Sequence, residues 1–160
     1  MSSTCHLKAH ALSSDEGEAR WAFGGLLLIK VSAEQAGGRM AVIEQRMPKG
    51  IATPVHVHCD DDDIFCVLEG EMTLWVEGQR ISAGAGSLVH IPGGCVHAFR
   101  TETDVRFLNL TTPQHERFMR ASSEPALCLE MPAGGMNMER ILPAAERYGV
   151  EILGPPPTDD

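Results

Sequence analysis

Three histidines and one aspartate carry the chemistry legible in this chain. His56 and His58 stand at i and i+2 within GIATPVHVHCDDDDIFCVLEG, which runs from Gly50 to Gly70. On a β-strand that spacing sends both imidazoles to the same side of the sheet. Neutral imidazole is the commonest protein metal ligand near physiological pH. Asp63 ends the run Asp60-Asp61-Asp62-Asp63, immediately before the apolar stretch Ile64–Leu68. A connection of this length can bring a carboxylate on the next strand opposite the two imidazoles. His97 follows Pro92-Gly93-Gly94 at the start of a later strand. Three imidazoles and one carboxylate hold a divalent transition metal and leave positions open for water, substrate or dioxygen. Such a donor set suits iron, nickel, cobalt, manganese and zinc alike, so one ion per chain is expected and its identity is left open.

Positioning these residues requires strands, and the chain is rich in them. Candidates are Leu26–Ser32, Met40–Met47, Val55–His58, Ile64–Leu68, Met72–Val76, Ser87–Ile91, Val96–Arg100 and Val105–Thr111. Turn signals such as Gly37-Gly38, Glu77-Gly78 and Gly84 to Gly86 separate them. Short strands at close spacing, without a long helical period between them, read as a sandwich or barrel. After Pro113 the pattern predicts short helices over Gln114–Ala121 and Asn137–Tyr148, with Pro143 kinking or restarting the second. Gly154 to Asp160, with three consecutive prolines, reads as an extended tail. The expected fold class is all-β, a barrel with short C-terminal helices, without internal repeats or a second domain.

The two histidine-bearing stretches resemble the motifs of the cupins, small jelly-roll barrels. Gly50, His56, His58 and Gly70 fall at the places of the first motif, G-x5-H-x-H-x3–4-E-x6-G, with Asp63 where the family carries Glu. Gly86, Pro92, Gly94 and His97 match the second, G-x5-P-x-G-x2-H-x3-N, with Thr101 in place of Asn. The chain is most similar in tone to single-domain quercetin-dioxygenase-like cupins. That resemblance implies a cupin jelly-roll barrel over 38–112. Residues 1–37 would be an N-terminal arm whose first strands pack on it, and 113–160 a helical appendage with a Pro-rich tail. It implies metal ligation by His56, His58, Asp63 and His97. Asp63 is one methylene shorter than Glu, which leaves two roles open for it. It is either a direct ligand or the neighbour of a three-histidine site, where it orients a ligand or moves protons as the catalytic base.

The implied activity is that of a metal-dependent dioxygenase, an oxidoreductase cleaving an enolic or phenolic small molecule. Two alternatives stand beside it: redox-neutral cyclase, isomerase or lyase chemistry, and ligand binding without turnover. Cupin barrels usually pair, so a homodimer is expected. The apolar run Leu26–Ile29 suits burial between sheets or between protomers. Gln45, Phe65 and Cys95 are candidate pocket residues. Gln45 lies on the more apolar face of Met40–Met47, Phe65 shares a strand face with Asp63, and Cys95 is two residues before His97. His90 reads as a core or edge residue, and His6, His10 and His115 fall outside the motifs. Asp60 to Asp62 read as a solvated turn.

Composition bounds the rest. The chain has 160 residues, 43% hydrophobic and 22% charged, which fits one globular domain. A formal net charge of −9 argues against a nucleic-acid partner, which needs a basic face. No run approaches the ~20 apolar residues of a membrane helix, and the N-terminus lacks the apolar core of a secretory signal. Five cysteines without a C-x-x-C pair read as reduced thiols, so the expected location is the cytoplasm.

Overall fold

A computed structural model describes residues 7–159; Cys5 and His6 lie outside the described residues. The strands are β1 (Glu18–Ala22), β2 (Gly25–Val31), β3 (Ala41–Met47), β4 (Val55–His58), β5 (Asp63–Glu69), β6 (Glu71–Val76), β7 (Gln79–Gly84), β8 (Leu88–Ile91), β9 (His97–Thr101) and β10 (Val105–Thr111). Helix α1 (Pro113–Ala121), the two-residue β11 (Glu124–Pro125), α2 (Met138–Tyr148) and β12 (Val150–Gly154) complete the chain. They form two antiparallel sheets, ordered β11-β1-β2-β3-β10-β5-β8 and β12-β4-β9-β6-β7. Packed face to face, the sheets make a jelly-roll barrel. Between them lies a core that includes Met47, Phe65, Met72, Leu74, Phe99 and Phe107.

All eight expected strands form, and β4 and β10 have the expected ends. The reading missed β1, β7, β11 and β12. β7 is an edge strand whose Gln79, Arg80 and Ser82 are exposed, and only Ala83 and, in part, Ile81 turn into the core, too few to make an alternation. β12 pairs with β4 in the register Val150↔His58 and Ile152↔His56. Residues from both sides of 38–112 therefore complete the sheets: β2 joins β3 in one, and β12 joins β4 in the other. The tail beyond β12 forms neither helix nor strand among the described residues, and Asp159 meets Arg100 at 2.9 Å.

The run Leu26–Ile29 finds its cover inside the chain. Leu26, Leu27 and Leu28 are 0–1% exposed, and Leu27 and Ile29 pack in a second cluster with Phe118, Ile141 and Ala144 from the two helices. Its burial thus needs no partner copy. The alternation expected in β3 holds, with Ala41, Ile43, Gln45 and Met47 all buried. On the opposite face Glu44 is also buried, between Arg46 at 2.8 Å and Lys30 and Arg106 at 3.7 Å. Pro143 does not restart α2, which continues from Met138 to Tyr148 around it. The proline is the sixth of the eleven helix residues, and the hydrogen bond it forgoes is to the carbonyl of the exposed Glu139 in the first turn.

Gly70, the last residue of the first motif, turns the chain from β5 into β6 at φ +82°. A Cβ there would overlap the backbone carbonyl of Asp104. Gly78 has a similar φ of +76° but open space around it. Gly70→Ala should therefore lose more stability than Gly78→Ala, by roughly 1–3 kcal/mol. Comparing the urea midpoints of the two variants checks this.

Candidate metal centre

β4 and β9 are neighbours in the smaller sheet, with His56 opposite His97. Ring centroids lie 4.3 Å apart for His56–His97 and 5.0 Å for each of the other two pairs. One nitrogen from each ring falls within 4.8 Å of the others. Backbone carbonyls set the tautomers of two of them. Nδ1–H of His56 donates to Pro54 O at 2.7 Å, and Nδ1–H of His97 donates to Cys95 O at 2.9 Å. Each Nε2 is left with a free lone pair, the arrangement that metal-ligating histidines use.

Burial keeps these rings neutral. It pushes His56 down to about 4, helped by the neighbouring His97. It pushes His58 lower still, with His115, His56 and His97 adding to the effect, and it lowers His97 as well. His58 is 3% exposed and neither ring nitrogen has a hydrogen-bond partner. Nδ1 has only the Asp63 carboxylate at 3.3 Å near it, and a buried Nε2 left unmet is costly unless something occupies it. Three convergent neutral imidazoles, one of them orphaned, fit a divalent transition metal.

Asp63, 2% exposed at the start of β5, is held from the side opposite His58. Its Oδ1 accepts from Asn109 Nδ2 at 3.0 Å, and Asn109 Oδ1 accepts from Gln45 Nε2 at 3.3 Å. Its Oδ2 lies 3.3 Å from His58 Nδ1 and 3.8 Å from His115 Nε2. Asp63 thus groups with His58 and His115, whereas His58 groups separately with His56 and His97. His58 belongs to both sets.

His115 is the residue that the sequence reading missed. It is 3% exposed on α1 and stacks on His58, with centroids 4.2 Å apart and planes at 28°. Its Nδ1 is buried without a partner. A signal for it existed: Thr112-Pro113 marks a helix start, and His115, Phe118 and Met119 at i, i+3 and i+4 share one helix face. Asp61 also departs from expectation. It is 4% exposed rather than solvated, because Thr112 Oγ1 donates to its carboxylate at the N-cap of α1. Asp62 is exposed as expected, accepting from Gly93 N–H at 2.8 Å and meeting the exposed edge residue His90 at 3.0 Å.

The three pocket candidates part ways. Phe65 lines the cavity beside the histidines and packs edge-on against Phe99 and Phe107. Gln45 lines it too, with its amide donating to Asn109. Cys95 contributes its carbonyl to His97, while its side chain packs against the core between the sheets and is not part of the lining. His10 is remote and exposed, against Lys30 O. The cavity is narrow, about 70 Å³, and is bounded by aromatic and methionine side chains from the barrel and from the C-terminal segment.

Comparison with known proteins agrees with this geometry. The Cupin domain family matches residues 43–111, the stretch holding both histidine motifs. Residues 43–111 are a cupin domain. This cupin is 27% identical to quercetin 2,3-dioxygenase of Bacillus subtilis over 150 residues, 91% of this chain and 44% of that protein. It spans less than half the length of the curated relatives it matches. Among solved structures it is similar to a predicted oxalate decarboxylase of Thermotoga maritima, with TM-score 0.57 and 21% identity, covering 64% of this chain and 98% of that one. It is also similar to the polyketide cyclase RemF of Streptomyces resistomycificus, with TM-score 0.50 and 26% identity, covering 68% and 75%. Among the described residues no helix is long and apolar enough to cross a membrane.

The depressed histidines have a consequence for the metal-free cupin. Unfolding restores their ordinary affinity for protons, so the unfolded chain binds more protons than the folded one below about pH 6.5. Stability should therefore be full at neutral pH and fall as the pH drops from about 6.5 towards 4. Urea unfolding of chelator-treated protein across that window should show it, and His56→Gln should flatten the slope.

Proposed function

We propose that this cupin is a metal-dependent enzyme acting on a small organic molecule, a quercetinase-like dioxygenase that cleaves an enolic or phenolic substrate. The observation that carries the proposal is the trio of convergent, neutral imidazoles, half-buried at His56 and buried at His58 and His97, with His58 Nε2 making no hydrogen bond. Similarity to the Bacillus subtilis quercetin 2,3-dioxygenase across most of the chain supports the reaction class. When bound, a divalent metal supplies Lewis acidity to a substrate hydroxyl and, if redox-active, one-electron chemistry with dioxygen.

In this reading His56, His58 and His97 hold the ion, and the carbonyls of Pro54 and Cys95 keep the Nε2 atoms of His56 and His97 unprotonated and aimed. Asp63 supports the site from behind His58. Ligand atoms about 2.1 Å from one ion lie within roughly 4.2 Å of each other, and Asp63 groups with His58 and His115 instead of with all three histidines. Its Oδ1 is committed to Asn109, which leaves Oδ2 to take the substrate's hydroxyl proton or to steady His58. Phe65, Phe99 and Met47 keep water from the reacting carbon atoms.

A second reading, redox-neutral cyclisation or isomerisation, is favoured by the similarity to the cyclase RemF. Product analysis under strict anaerobiosis separates the two. A dioxygenase makes no product without oxygen, while a cyclase or isomerase is unaffected.

Two variants test the assignment of roles. His56→Ala should lose both stoichiometric metal and oxygen uptake while keeping its fold. Asp63→Asn should keep about one metal per chain, weaken its affinity by roughly 10–100-fold, and lower turnover by about 10²–10⁴. Metal analysis by mass spectrometry beside an oxygen electrode reads both. Full loss of metal from Asp63→Asn would make Asp63 a direct ligand.

A further inference from the structure

The cavity wall facing the histidines is built outside the cupin match of 43–111. Phe118 and Met119 come from α1, Met136 precedes α2, Met138 and Ile141 lie on it, and Ile152 comes from β12. We propose that this C-terminal wall is the specificity-determining surface, and that it selects a small, uncharged, apolar-flanked molecule with a single ionisable oxygen over carboxylates and phosphates. The proposal rests on the metal-centre reading above and adds to it a substrate class and the residues that choose it.

Charge is the first argument. Among the described residues no Lys or Arg lines the cavity, and the one charged side chain other than histidine that does is Asp63. A divalent ion on three neutral imidazoles, beside the Asp63 carboxylate, carries a net charge of about +1, which one ionised oxygen neutralises. A second carboxylate or a phosphate dianion would be desolvated there without a counter-charge. Hydrogen bonding is the second argument. Apart from the histidines, the polar lining is occupied internally: Gln45 donates to Asn109, Asn109 donates to Asp63, and the Thr53 hydroxyl accepts from Phe99 N–H at 2.9 Å. A polyhydroxylated sugar would find few free donors and would lose its water without replacement.

Size and adaptability follow from the same wall. The cavity of about 70 Å³ is well below the roughly 300–1,000 Å³ of pockets for drug-sized ligands. The ligand is therefore small, or gains room by displacing flexible side chains. Methionine is the residue that yields most readily, and Met136 and Met138 are partly exposed at the edge of the wall.

Thermal shifts and calorimetry on zinc-loaded protein test this, with metal content measured first. The probes are acetylacetone and benzoylacetone, each with one ionisable enol, against oxalate and glucose 6-phosphate. The diketones should bind at least roughly tenfold more tightly than either anion. Met138→Arg places a guanidinium at the partly exposed rim and should shift the ratio towards oxalate by about tenfold; Met136→Lys serves if that variant misfolds. Oxalate or the sugar phosphate binding as tightly as the diketones to wild-type protein would overturn the inference and leave the metal reading standing. Absence of bound zinc would instead sink the metal reading. The wall is then judged with an uncharged metal-independent probe, 1-naphthol, against benzoate. Stabilisation by 1-naphthol alone, lost in Met138→Arg, supports the wall's role, and equal or greater stabilisation by benzoate overturns it.

Discussion

Two short hydrogen bonds, from His56 to the carbonyl of Pro54 and from His97 to that of Cys95, govern the character of the site. In each, a ring reaches back two residues along its own strand, so the strand itself selects the tautomer. Pro54 stands just before β4, and Cys95 just before β9 after the Pro92-Gly93-Gly94 turn. Those local conformations fix which nitrogen faces the cavity before any ligand enters. Sheet pairing then brings the two rings together, since β4 and β9 meet at His56 and His97. Burial between the sheets keeps the rings uncharged, so electrostatics and geometry act in the same direction.

Around this pair the site is layered. His58 faces the other two histidines on one side and Asp63 and His115 on the other. Asp63 is tied through Asn109 to Gln45, which links β5, β10 and β3 across the larger sheet. His115 arrives from α1, whose N-cap Thr112 is held by Asp61 in the same loop that leads into Asp63. The β4–β5 connection therefore positions the carboxylate and the fourth imidazole at once. This explains why Asp61 is buried where Asp60 and Asp62 are exposed.

Much of this was legible in the sequence, for identifiable reasons. A histidine pair at i and i+2 between turn residues declares its own strand and face. Gln45 could be placed inside because Met40–Met47 alternates cleanly. The edge strand β7 could not be read, since only Ile81 and Ala83 of its six residues turn inward, too few to set a pattern. Asp61 and His115 were hidden for a different reason. Their burial follows from helix α1 docking across the barrel, a contact between segments about 50 residues apart, and residue type alone pointed to solvent for one and to no site for the other. Pro143 shows the same limit in miniature, because packing of Ile141, Ala144 and Ala145 holds α2 together past a residue that locally disfavours it.

β4 and β9 are adjacent in space but separated in the chain by β5, β6, β7 and β8. An ion gripped by His56, His58 and His97 would be a cross-link closing that long loop. Closure of this kind removes entropy from the unfolded chain, and the free energy of binding becomes free energy of folding. The cysteines at 59, 66, 95 and 128 are free thiols. In this barrel the task of a disulfide would fall to such a metal, and a cell short of it would hold a less durable protein.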